Sequence, residues 1–133
     1  MPVGRRARLI ETPYLTVIDD CYNANPDSVE MAIASARDLG GRLVCILGDM
    51  LELGSDSERL HREVGRAALD AGAVLLTEGE RSAAMGGEHF PGKAELITAL
   101  PGILHRGDRV LVKASHSMAF EEISEALRSM RID

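Results

Sequence analysis

Two hydrophobic rhythms alternate along the chain. Short apolar runs stand at "YLTVID" (14–19), "RLVCIL" (42–47), "AVLLT" (73–77) and "DRVLVK" (108–113). Between them, apolar residues recur three or four positions apart. The first rhythm predicts strands and the second predicts helices. "ARLIE" (7–11) precedes Thr12-Pro13 and reads as one arm of a hairpin, or as an extended lead-in to the first strand. Asn25 and Pro26 have the chemistry of an N-cap and a first helical residue. Val29, Ile33 and Ala36 follow as the buried stripe, and Gly40-Gly41 ends the helix.

"RLVCIL" has no polar alternation, as expected of a strand covered on both faces. "GDMLELG" (48–54) reads as a loop, and Ser55 with Glu58 has capping-box spacing. Leu60, Val64, Ala67 and Ala71 then form an apolar stripe that leaves His61 on the polar side; Gly72 stops that helix. "EGERSAAMGGEHFPG" predicts one helical turn near 81–85 followed by loop. "KAELITALPGIL" predicts a helix interrupted at Pro101-Gly102. "SMAFEEISEALRSM" predicts a closing helix with Phe120, Ile123, Leu127 and Met130 inward. Strand–helix alternation of this kind belongs to the doubly wound α/β class, a mostly parallel sheet with helices on both faces. The leading hairpin could add an antiparallel edge strand.

In such sheets ligands bind beyond the carboxyl ends of the strands. Here those ends carry Asp19-Asp20, Gly48-Asp49, Thr77-Glu78-Gly79 and Lys113-Ala114-Ser115-His116. Asp20 suits the hydroxyls of a ribose, or else a turn carboxylate or a partner for Lys113. Asn23 and Asn25 suit a turn and a cap as well as a ligand. Tyr22 suits packing on a neighbouring loop or a ligand contact. Asp49 suits a cation or ammonium group, or an Asx turn. Lys113, Ser115, His116 and Ser117 together suit an anion, although either serine would also serve to cap the last helix.

Composition narrows the field. The 133 residues make one domain's worth of chain, 45% hydrophobic and 27% charged. A net charge of −6, with no Trp, two Tyr and two Phe, argues against a nucleic-acid partner. No run is long and apolar enough for a membrane span, and the N-terminus lacks a signal-peptide core. Cys21 and Cys45 form no CxxC; Cys45 reads as a buried hydrophobe, Cys21 has no base beside it, and a cytoplasmic setting is expected. His61, His89 and His105 lack metal-ligand spacing. GxxxxGK[ST] and GxGxxG are both absent, so tight triphosphate binding by this chain alone is not expected.

Four motifs in order, "IDDCYNANPDS", "LGDMLELG", "LHREVG" and "VLVKASHSM", resemble the C-terminal domain of the Mur ligases. The likeness runs from about Gly4 to the end and favours the branch that adds D-alanyl-D-alanine to UDP-N-acetylmuramoyl-tripeptide. It implies a single Rossmann-like domain over 4–133, with 1–3 as hinge or added residues. An N-terminal domain for the UDP-sugar and a central domain holding ATP and Mg would lie outside this chain. The implied reaction passes through an acyl phosphate attacked by the amine. This domain would close over ATP and position the amine, in the bacterial cytoplasm, with no catalytic residue or metal of its own. Residue by residue, Asp20 matches the ribose-binding acid and Arg5 a junction arginine that contacts the nucleotide. Tyr22 and Asn23 match positions that bind the amino substrate or line the nucleotide. Ser115 and Ser117 match the loop that holds the incoming carboxylate. Asp49 lies in the loop signature without an assigned role. The family's usual "VKGSR" is replaced by Lys113-Ala114-Ser115-His116, so the anion grip would rest on a partly charged histidine. The alternatives are a stand-alone nucleotide-binding or regulatory module and a pure interaction domain.

Overall fold

The computed structural model describes residues 7–133; Arg5 lies outside the described residues. One six-stranded sheet runs in the order β1-β2-β6-β3-β4-β5. β1 (Arg8–Glu11) and β2 (Thr16–Asp20) form the antiparallel hairpin, in the register Arg8 opposite Asp19. β3 (Leu43–Leu47), β4 (Val74–Glu78), β5 (Glu88–Phe90) and β6 (Arg109–Lys113) all pair in parallel. The hairpin turn is closed by the Thr12 hydroxyl, which accepts from the backbone N–H of Tyr14 and Leu15.

α1 (Pro26–Asp38) starts as its sequence requires. The Asn25 side chain accepts from Ser28 N–H at 2.9 Å, and the Ser28 hydroxyl accepts from Asn25 N–H at 3.1 Å. This reciprocal pair satisfies two otherwise orphaned donors. Val29, Ile33 and Ala36 are buried, and Gly40 and Gly41 take positive φ after the last turn.

α2 (Ser57–Asp70) departs from expectation. A 3₁₀ turn, Gly54–Asp56, leads into it, and no side chain caps it, so the Ser55–Glu58 box does not form. Its buried face is His61, Val64, Gly65 and Ala68, rotated from the predicted stripe. His61 is fully buried rather than solvent-facing. The spacing of these four is helical, but a histidine and a glycine hide it from a hydrophobicity count.

Three further differences are local. β5 is a three-residue strand bounded by Gly86-Gly87 and Pro91-Gly92, too short to show a period. α3 (Lys93–Ile103) runs through Pro101 without interruption. The closing segment divides into a 3₁₀ turn, His116–Met118, and α4 (Glu121–Arg128), with Ala119 at φ 55 between them. Phe120, Ile123 and Leu127 are buried, whereas Met130 is only partly covered.

The sheet separates two cores. Alternate strand residues Leu43, Cys45, Leu47 and Leu111 meet α1 and α2. Val44, Ile46, Val110 and Val112 meet α3 and α4 with Phe120. β2 and β3 therefore feed helices on one face, while β6, between them, feeds α4 on the other. Neighbouring connections diverge at the carboxyl end of β6, and this divergence opens a crevice.

Candidate ligand site at the carboxyl edge of the sheet

β2 ends on two carboxylates with separate fates. Asp19, 5% exposed, is held by Arg8 across the hairpin at 2.7 Å. Asp20 faces β6 in register with Lys113, and its Oδ2 lies 2.9 Å from the Lys113 ammonium. Lys113 is 3% exposed. It also donates to the Asn23 carbonyl at 2.8 Å, tying the β2–α1 loop to the centre of the sheet. The Asn23 side chain accepts from the adjacent Ala24 N–H at 2.9 Å.

A groove of about 440 Å³ opens beside this pair. Asp20, Asn23 and Lys113 lie at its polar part; Leu9, Ile18, Met31 and Leu39 supply apolar wall. The size falls within the usual range for small-molecule sites, and so does the chemistry of an apolar wall with a few convergent polar groups. Tyr22 and His116, both exposed, approach from opposite sides of the crevice with ring centroids 6.1 Å apart.

The β6 end does not form a single four-residue anion pocket. Lys113 is committed to Asp20 and Asn23, as above. The Ser115 hydroxyl accepts from Leu51 N–H at 2.9 Å, and Ser115 N–H donates to the Asp49 carbonyl at 3.0 Å. His116 and Ser117 are exposed beyond it. Neither serine makes a capping hydrogen bond to the following turn or helix.

Asp49 is 4% exposed, and its carboxylate is used internally. Oδ1 accepts from the backbone N–H of Arg81 and Ser82 at 3.0 and 2.8 Å, and Arg81 adds its guanidinium at 3.9 Å. The side chain occupies the start of the 3₁₀ turn Ser82–Met85 as an anion would. Its Oδ1 is taken by residues far along the chain, not by an Asx turn of its own. Glycine is required on both sides of it. A Cβ on Gly48 would lie 2.6 Å from Phe120 Cζ, and one on Gly79 would collide with the Asp49 carboxylate.

His61 is the residue that sequence pattern misplaced most. Its Nε2 accepts from Met50 N–H at 3.0 Å. That contact puts the ring proton on Nδ1, which donates to the Ser57 carbonyl at 2.8 Å. A buried imidazole thus holds the 48–54 loop from below while Ser115 holds it from the side. Within the loop Glu52 takes φ 65, a strained left-handed conformation for a non-glycine residue.

Burial pushes the Glu78 carboxyl up from its usual value, partly offset by Lys93. Burial also pushes up both thiols, Cys45 to about 12. Cys21 donates weakly to the Val112 carbonyl and is no nucleophile at neutral pH. Among the described residues, no group of three or more His, Cys, Asp or Glu side chains is placed to hold a metal ion. No helix among the described residues is long and apolar enough to cross a membrane.

The fold is a Rossmann-like α/β domain, with an acid at the end of the strand beside the switch point. A family model described as "Mur ligase, glutamate ligase domain" matches residues 5–116. The chain belongs to the Mur ligase family. It is 40% identical over 120 residues to the UDP-N-acetylmuramoyl-tripeptide--D-alanyl-D-alanine ligase of Escherichia coli K12, covering 84% of this chain and 26% of that protein. The ligase of the same name from Bacillus subtilis is 34% identical over 144 residues, covering 93% and 30%. A crystal structure of MurF from Acinetobacter baumannii superposes with a TM-score of 0.87 at 26% identity, over 96% of this chain and 30% of that one. MurF of Thermotoga maritima, solved in complex with ADP, shares the fold at a TM-score of 0.84 and 24% identity, over 94% and 30%. The chain thus spans less than a third of the relatives it matches.

Proposed function

We propose that this chain is the C-terminal, substrate-positioning domain of an ATP-dependent ligase that joins D-alanyl-D-alanine to UDP-N-acetylmuramoyl-tripeptide. The observation that carries the reading is the Asp20–Lys113 pair, at the carboxyl edge of the sheet and at one end of a groove along α1, in a fold whose relatives bear that ligase's name. Lys113 holds the Asp20 carboxylate in place. The carboxylate then accepts hydrogen bonds from the ribose hydroxyls of ATP, with Asn23 beside it and Arg5 completing the nucleotide contacts. The apolar wall shields that end of the nucleotide from water.

Magnesium and the phosphates belong to the rest of the ligase, since this domain has no glycine-rich phosphate cradle. The acyl phosphate forms there. This domain contributes orientation. Tyr22, His116 and Ser117 stand at the mouth of the crevice, where the dipeptide's amine and carboxylate are aligned for attack. Closure of the domain excludes water from the acyl phosphate. The setting is the bacterial cytoplasm, and the partners are the ligase's own N-terminal and central domains.

Replacing Asp20 tests the reading in the full-length ligase. Asp20→Asn keeps an acceptor for Lys113 but removes the charge. It raises KM for ATP about tenfold or more, as expected for losing a charge-assisted hydrogen bond, and changes KM for the dipeptide little. An unchanged KM for ATP would count against the assignment and favour a protein-interaction role for this edge.

A further inference from the structure

Lys93 begins α3, where the helix macrodipole favours anions and disfavours an ammonium group. Its side chain does not run into solvent. The ammonium donates to the Met118 carbonyl at 2.9 Å and the Ala119 carbonyl at 3.3 Å, and Glu122 lies 3.2 Å away. Both carbonyls belong to the turn between β6 and α4, which carries His116 and Ser117. That turn contains Ala119 at φ 55, a conformation that costs a non-glycine residue energy and persists only when its surroundings enforce it. On its other side the same segment is fixed through Ser115 to Leu51 and Asp49. The turn is therefore gripped from two independent elements, the 48–54 loop and the start of α3.

We propose that Lys93 is a positioning residue for the acceptor substrate. Its ammonium holds the 116–119 turn in the one conformation that presents His116 and Ser117 to the carboxylate of the incoming dipeptide. The proposal rests on the reading of that turn as the acceptor site. Lys93 touches neither substrate nor nucleotide. It acts by fixing backbone, so its effect falls on the acceptor and not on ATP.

The test uses the full-length ligase and compares Lys93→Met and Lys93→Arg with Ser117→Ala. Lys93→Met raises KM for D-alanyl-D-alanine about tenfold while KM for ATP stays within about twofold, the size expected from losing hydrogen bonds made by a charged donor. Lys93→Arg, which still reaches both carbonyls with N–H groups, retains most of the affinity. Hydrogen exchange at 116–119 speeds up in Lys93→Met and not in Lys93→Arg. Equal losses for both substrates, or unchanged exchange at 116–119, would overturn the proposal. If Ser117→Ala raises the acceptor KM and Lys93→Met does not, the positioning role alone fails. If neither variant moves it, the assignment of the turn to the acceptor fails, and the proposal with it.

Discussion

Lys113→Met lowers the stability of the domain by about 3 kcal/mol and abolishes tight nucleotide engagement by the full-length ligase. The lysine is almost completely buried, and its ammonium is the partner of both the Asp20 carboxylate and the Asn23 carbonyl. Methionine fills much of the same volume, so packing changes little. What changes is that a largely buried carboxylate and a carbonyl lose their donor together. Removing one member of a buried pair leaves the other uncompensated, and that is the costly case. The double variant Asp20→Asn/Lys113→Met separates stability from binding. It recovers most of the urea midpoint, because no unpaired charge remains, yet nucleotide affinity stays low. If the single Lys113→Met variant were as stable as wild type, the pair would be a solvated surface contact and the account of the crevice would be wrong.

Gly65→Ala destabilises the domain by about 2 kcal/mol, although alanine usually stabilises a helix relative to glycine by about 1 kcal/mol. The reason is the distance between α2 and the 3₁₀ turn Ser82–Met85. A Cβ on Gly65 would lie 2.6 Å from Met85 Cα and would collide with the Met85 carbonyl oxygen. Those atoms are backbone and cannot rotate away. Relief requires the turn to move, and the turn is pinned through Ser82 to Asp49. The disturbance therefore reaches the loop that seats Ser115. Gly102→Ala is the matching control: Gly102 is also helical, but nothing lies within 4 Å of its added Cβ. Thermal unfolding of both variants decides the matter. The midpoint falls for Gly65→Ala and stays or rises for Gly102→Ala; a rise for Gly65→Ala would refute the close packing.

Much of this architecture was legible in the chain because its strands are fully buried and its turns are marked by glycine. "RLVCIL" reads as a two-sided strand, and all of Leu43–Leu47 is buried. Asn25-Pro26 reads as a helix start, and the capping box is there. The leading hairpin becomes the antiparallel edge. What pattern reading missed has a common cause: polarity stood in for position. His61 and Gly65 occupy the buried face of α2 with correct helical spacing, but neither scores as hydrophobic. β5 has only three residues, too few for alternation to repeat, and Pro101 forfeits one helical hydrogen bond without ending α3, which stops two residues later.

The candidate site was legible as a place more than as a set of contacts. Strand ends located the crevice, but pairing within it depends on strand order, which periodicity does not carry. The insertion of β6 between β2 and β3 is what sets Lys113 beside Asp20 instead of beside Ser115 and Ser117 in an anion pocket. Asp49 looked available because it ends a strand; in the fold it is consumed by the turn after β4. Lys93 gave one usable signal, a cation at the wrong end of a helix.

The central claim is that this chain positions substrates and does not itself activate them. The direct measurement is amide formation from ATP, magnesium, UDP-N-acetylmuramoyl-tripeptide and D-alanyl-D-alanine, first with this chain alone and then with a polypeptide supplying the ligase's other two domains. The account predicts no product from the chain alone and product once the others are present. Turnover by the isolated chain would contradict it.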